Sequence, residues 1–153
     1  MTPEEIQAAE LACGRLVNEY CYAVDDCDVD RFVGVFTDDG VWQRDAQLIF
    51  SGREQLRAFF VSRRENVVTM HVCSNLRVNV IDAQRAEGRS YLTVFRSDRS
   101  ADPQRMPPAL PELVAECFDN YQRTAAGWRI ARRVTTLRFR RDATPAESGR
   151  EKD

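Results

Sequence analysis

The feature that most constrains this 153-residue chain is a change of hydrophobic period after about residue 65. Before it, apolar residues recur three and four positions apart; beyond it, they alternate. Ile6, Cys13, Leu16, Val17, Tyr20 and Val24 trace one face of a long helix, opened by a capping box at Thr2-Pro3-Glu4-Glu5 with proline in the first turn. The helix is expected to end at about Val24, where the acidic segment Asp25 to Asp28 begins. Asp28 can cap a short second helix carrying Phe32, Val35 and Phe36. Thr37-Asp38-Asp39-Gly40 reads as a turn before a short strand at Val41-Trp42. Ser51 and Glu54 form a second capping box, with Leu56, Phe59 and Phe60 inward on a third helix.

Beyond the switch, Val72 to Ile81, Arg89 to Arg96, Leu113 to Arg123 and Trp128 to Phe139 read as strands, with Ala125-Ala126-Gly127 a tight reversal between the last two. Ser97 to Pro111 holds four of the six prolines and is expected to be a long exposed loop. Helices first and antiparallel strands after define an α+β fold, with helices on one face of a curved sheet. One domain is expected over 1–141, followed by a polar, disordered tail at 142–153.

Composition excludes several functions. Lys plus Arg is 22 against 24 for Asp plus Glu, so the cationic excess that drives nucleic-acid binding is missing. No apolar run approaches the roughly 20 residues of a membrane span. MTPEEIQAAE does not resemble a secretory leader, and a cytoplasmic protein is expected. Five widely spaced cysteines without a C-x-x-C read as reduced, packed thiols, and a single histidine makes a zinc or iron site unpromising. Asp26-Cys27-Asp28-Val29-Asp30 imitates the start of a calcium loop, but Arg31 and Thr37 stand where glycine and glutamate are needed. Neither metal nor cofactor is expected.

The chemistry therefore turns on His71 and Asp25. A carboxylate that holds one ring nitrogen fixes the histidine tautomer and lets the other nitrogen take a proton near neutral pH. The same two residues also read as a hydrogen-bonded structural histidine and a helix-terminating aspartate, and residue types leave both readings open. Phe32, Phe36, Phe59 and Phe60 read as core. Arg129 and Arg133 are placed on one face of the last strand by alternation, read as a solvated surface or an oligomer interface ahead of an anchor for an anionic substrate.

The order of motifs resembles the SnoaL-like branch of the nuclear transport factor 2 superfamily. It is carried by Val24-Asp25, Asp28, Asp30 and Phe32; Phe36, Asp38, Asp39 and Trp42; Gly52-Arg53-Glu54 and Leu56; and His71 and Asn75. The resemblance spans about residues 5–140 and implies a cone: a strongly bent antiparallel sheet wrapped around a long helix, enclosing one apolar pocket. Asp25 and His71 are similar in position to the Asp–His dyads of scytalone dehydratase and hexachlorocyclohexane dehydrochlorinase. His71-Val72-Cys73-Ser74-Asn75-Leu76-Arg77 looks particularly like the latter.

By that resemblance His71 abstracts a proton, Asp25 orients it, and Tyr20, Trp42, Asn75 and Tyr91 belong to the substrate pocket. Two departures stand out. Ser90 to Val94 carries neither the second histidine of scytalone dehydratase nor the aspartate of bile-acid dehydratases. Val24 replaces the tyrosine that precedes the aspartate in scytalone dehydratase, so the acid is left to Tyr20 or Tyr91, or the leaving group is one that needs no acid. The implied activity is a cofactor-independent lyase or isomerase acting on a hydrophobic cyclic or aromatic small molecule. Two alternatives are a non-catalytic partner resembling the small subunit of ring-hydroxylating dioxygenases and a small-molecule-binding protein without turnover. Trp128, Ile130, Val134, Leu137 and Phe139 offer more apolar surface than one core face needs, and a homo-oligomer, dimer or trimer, is expected.

Overall fold

The computed structural model describes residues 1–44, 47–62, 67–99, 106 and 110–141. Helices α1 (Pro3–Asp25), α2 (Val29–Gly34) and α3 (Gly52–Val61) combine with strands β1 (Phe36–Arg44), β2 (Leu48–Ser51), β3 (Val67–Val80), β4 (Arg85–Asp98), β5 (Pro111–Thr124) and β6 (Gly127–Arg140). The six strands form one curved sheet in the order β2-β1-β6-β5-β4-β3. Every neighbouring pair is antiparallel except β1 and β6, which run parallel. The fold is the expected α+β cone. Among the described residues no helix is long and apolar enough to cross a membrane.

Local chemistry explains the helix ends. Thr2 accepts from the Glu5 amide while Glu5 accepts from the Thr2 amide, completing the first capping box. Asp28 caps α2 by accepting from the Arg31 amide. The second expected box does not form. Ser51 precedes α3 but makes no side-chain cap, and its amide donates to the Gln55 side chain in place of Glu54.

Two further expectations fail where a strand departs from a period of two. Thr37 to Gly40 is no turn; it lies within β1 as a bulge, with Phe36 opposite Ile130 and Val41 already opposite Arg132. Arg53 fixes this bulge by donating to the Phe36 carbonyl at 2.8 Å and pairing with Asp38. Glycine is required at 40, since a Cβ there would sit 2.9 Å from that of Phe36. A second bulge falls in β6: Tyr121 faces Ile130 and Asn120 faces Arg132, leaving Ala131 extra. Arg133 is thereby turned to the inner face that Trp128 and Ile130 occupy, and it is completely buried, not part of a solvated surface. Trp128 and Ile130 are likewise core, while Leu137 and Phe139 are exposed.

The proline-rich loop expected between Ser97 and Pro111 lies mostly outside the described residues, as does the tail from 142; Ser97 and Asp98 extend β4, and Pro111 begins β5. The reversal at 125–127 is present, with Gly127 in the left-handed region at φ 98°. The core lies between the inner sheet face and the buried stripe Ala9, Cys13, Val17, Tyr20 and Val24 of α1. Burial pushes the Cys13 and Cys21 thiols up to about 12, so both pack as neutral hydrophobes.

Arg133 is held inside by Asp119, which accepts from Nε and Nη2 at 2.7 Å each. Tyr121 donates to the same carboxylate at 3.1 Å. Burial works against the guanidinium charge, but Asp119 outweighs it and leaves Arg133 firmly protonated. Asp119→Ala therefore strands a buried cation that cannot discharge. Urea denaturation is expected to show a loss of about 3–5 kcal/mol, whereas a surface control such as Asp30→Ala, which breaks only the exposed pair to Arg57, should lose far less.

Candidate active site

The end of α1 is tied to the start of β3 through one carboxylate. Asp25 is the last residue of the helix, and its side chain reaches three donors on β3. Thr69 Oγ1 donates to Oδ1 at 2.9 Å, the His71 amide donates to Oδ2 at 2.8 Å, and His71 Nδ1 lies 2.5 Å from Oδ1. Burial pushes the Asp25 carboxyl up, but the His71 ring, the His71 amide and Thr69 together outweigh it and hold the group below its ordinary value. An ionised Asp25 makes Nδ1 the protonated nitrogen of a neutral ring, which leaves the Nε2 lone pair free. Both side chains are largely shielded, at 10% exposure for His71 and 19% for Asp25.

His71 lies on the wall of a cavity of about 500 Å³. Tyr20, Val24, Phe32, Trp42, Phe59, Phe60, Val67, Leu92, Val94 and Leu113 supply its apolar lining. The aromatic part is a connected set: Trp42 packs edge-on against Tyr20, Phe32 and Phe59, and Phe32 packs on Phe60 at 4.7 Å. Trp42 is held by its indole N–H, which donates to Thr135 at 3.1 Å. Burial pushes the Tyr20 phenol well up, so it stays protonated, and the Arg133 guanidinium lies 4.1 Å from its ring centre. The polar lining comprises Arg44, Ser62, Arg96, Asp98, Glu112 and Thr135. Among the described residues no three His, Cys, Asp or Glu side chains converge as a metal site would require.

Of the six residues singled out from the sequence, the structure brings His71, Asp25, Tyr20 and Trp42 together. Asn75 and Tyr91 lie elsewhere. Leu92 and Val94 face the cavity, so alternation sends Tyr91 to the outer face, where it is 40% exposed beside Arg89. Asn75 is an exposed bulge residue with φ 53°, in the register break between Ser74 and Arg77. Its work is on the backbone: the bulge reverses the phase of β3, so that Cys73 before it and Val78 after it both pack on the core. Sequence reading missed Arg44, Thr69 and Thr135. Thr69 could have been found, since it shares the inner face of a strand with His71; Arg44 and Thr135 carry no local signal.

The SnoaL-like domain family matches residues 6–134, and the chain belongs to that family. Solved structures with the same fold include a candidate scytalone dehydratase from Novosphingobium aromaticivorans, at 16% identity over 94% of this chain and 93% of that one, TM-score 0.77. Hexachlorocyclohexane dehydrochlorinase type 3 from Novosphingobium barchaimii is similar at 15% identity over 94% and 96%, TM-score 0.75. A Mycobacterium tuberculosis protein of unknown function shares 27% identity over 97% of this chain and 81% of that one, TM-score 0.73. No curated protein matches the sequence.

The lowered Asp25 pKa has a thermodynamic consequence. A carboxyl depressed by folding adds stability that is complete above its unfolded value, near the ordinary 3.8, and is lost as pH falls through the folded value. As pH falls below about 5, the gap between the melting curves of the protein and Asp25→Asn should narrow steadily as the carboxyl is protonated. A gap that widens in acid would contradict the hydrogen-bond assignment.

Proposed function

We propose that this protein is a cofactor-independent lyase or isomerase that removes a proton from a hydrophobic cyclic or aromatic small molecule, with His71 as the base. The observation that carries this reading is the Asp25–His71 hydrogen bond at the wall of an aromatic-lined cavity. Nε2 takes a proton from a substrate carbon. The electron pair left behind forms a double bond to the neighbouring carbon and expels its leaving group, or the carbanion is reprotonated elsewhere. Asp25 stabilises the imidazolium that forms and keeps the ring in its reactive tautomer. Of Tyr20 and Tyr91, only Tyr20 lines the cavity, so Tyr20 is the phenol available to hydrogen-bond an oxygen leaving group; a halide needs no proton. The aromatic part of the lining favours a substrate with a hydrocarbon ring. The exposed Phe118, Leu137 and Phe139 of β5 and β6 support assembly as a dimer or trimer.

The test is incubation in deuterium oxide with a panel of hydroxylated and halogenated cyclic compounds, with elimination and deuterium uptake followed by mass spectrometry. For any compound that reacts, His71→Ala should lower kcat by about 10²–10⁴-fold with affinity nearly intact, because the loss falls on the transition state. Asp25→Asn should lower it less, since an amide still contacts the ring but no longer stabilises its positive charge. Unchanged turnover in a destabilised His71→Ala protein would make the histidine structural only.

A further inference from the structure

The cavity holds a cation with no protein counter-ion among the described residues. Four charged side chains other than the Asp25–His71 pair border the space: Arg44, Arg96, Asp98 and Glu112. Arg96 and Glu112 are paired at 3.3 Å and largely cancel. Asp98 is exposed at the outer end of β4, where water screens it. Arg44 is different. It ends β1 beside Thr135 of β6, half-buried, and no hydrogen bond or ion pair joins its guanidinium to another described residue.

A guanidinium presents five donors in a rigid planar fork, and removing it partly from water without an acceptor is unfavourable. The group that satisfies the fork is a bidentate oxyanion. Among the described residues no carboxylate of the cavity fills that role, since Asp25 is committed to His71 and Thr69, and Glu112 to Arg96. We propose that Arg44 anchors a carboxylate- or sulfonate-type anionic group on an otherwise apolar ligand, the opposite end of which is thereby directed along the cavity. The charge of Arg44 also favours the ionised form of Tyr20, so its field reaches the inner wall. The orienting role rests on His71 being the base; the preference for an anion does not.

Two fluorescent probes differ by that one group: 8-anilinonaphthalene-1-sulfonate and its neutral counterpart N-phenyl-1-naphthylamine. Titration of each into the protein and into Arg44→Gln, Arg44→Lys and His71→Ala gives the ratio of the two dissociation constants. Arg44→Gln should weaken the sulfonate about 10-fold and leave the neutral probe within about 2-fold, as expected for one charge-assisted contact. Arg44→Lys should recover part of that loss, since the charge returns without the fork. His71→Ala should leave the ratio unchanged. A ratio insensitive to Arg44→Gln, or failure of both probes to bind, would overturn the proposal. An intact ratio together with turnover that survives His71→Ala would remove the base assignment alone.

Discussion

The carboxylate of Asp25 is the joint on which the site depends. A helix end and a strand start would otherwise meet only through packing, which tolerates sliding. Three hydrogen bonds from Thr69 and from the amide and ring of His71 fix the distance and the angle between α1 and β3. The ring is oriented by the same bonds that anchor the strand, so the fixed orientation of the imidazole is a by-product of how the cone closes. Because one group serves both ends, the imidazole tautomer and the wall of the cavity are set together.

Behind that joint, a second polar element sets the shape of the floor. The Asp119–Arg133 pair is fully buried, and Arg133 lies under the Tyr20 ring. Buried ion pairs contribute little net stability compared with apolar residues of the same size, yet removing one partner is costly. What the pair provides here is a fixed cation against the ring of Tyr20, which also packs on Trp42 and Phe32. The apolar lining and the phenol are thus held by packing, and the imidazole by hydrogen bonds.

The sequence made the elements legible where one local rule governed them. Thr2, Pro3 and Glu5 announce α1, Asp28 announces α2, and strict alternation announces the long strands. Legibility fails where a bulge inserts a residue. Alternation puts Arg133 with Arg129 on one face, and the extra Ala131 turns Arg133 inward. The Thr37 to Gly40 segment has turn composition but is a bulge held by Arg53, a residue thirteen positions beyond Gly40. β2 escaped notice because four residues are too few to show a period. For the site, the resemblance identified Asp25, His71, Tyr20 and Trp42 as neighbours, whereas Asn75 turned out to shape the strand and Tyr91 to face outward. Arg44 was invisible for another reason: a lone arginine reads as surface until its surroundings are known.

The central claim is that the His71 ring is held with Nδ1 protonated and Nε2 free to act as a base. Because His71 is the single histidine of the chain, ¹⁵N-labelled histidine gives one imidazole spectrum without assignment. In the neutral ring the account predicts a protonated Nδ1 with a strongly downfield proton that disappears in Asp25→Asn, and an unprotonated Nε2. An Nε2-protonated ring, or a rapid mixture of both tautomers that Asp25→Asn leaves unchanged, would contradict it.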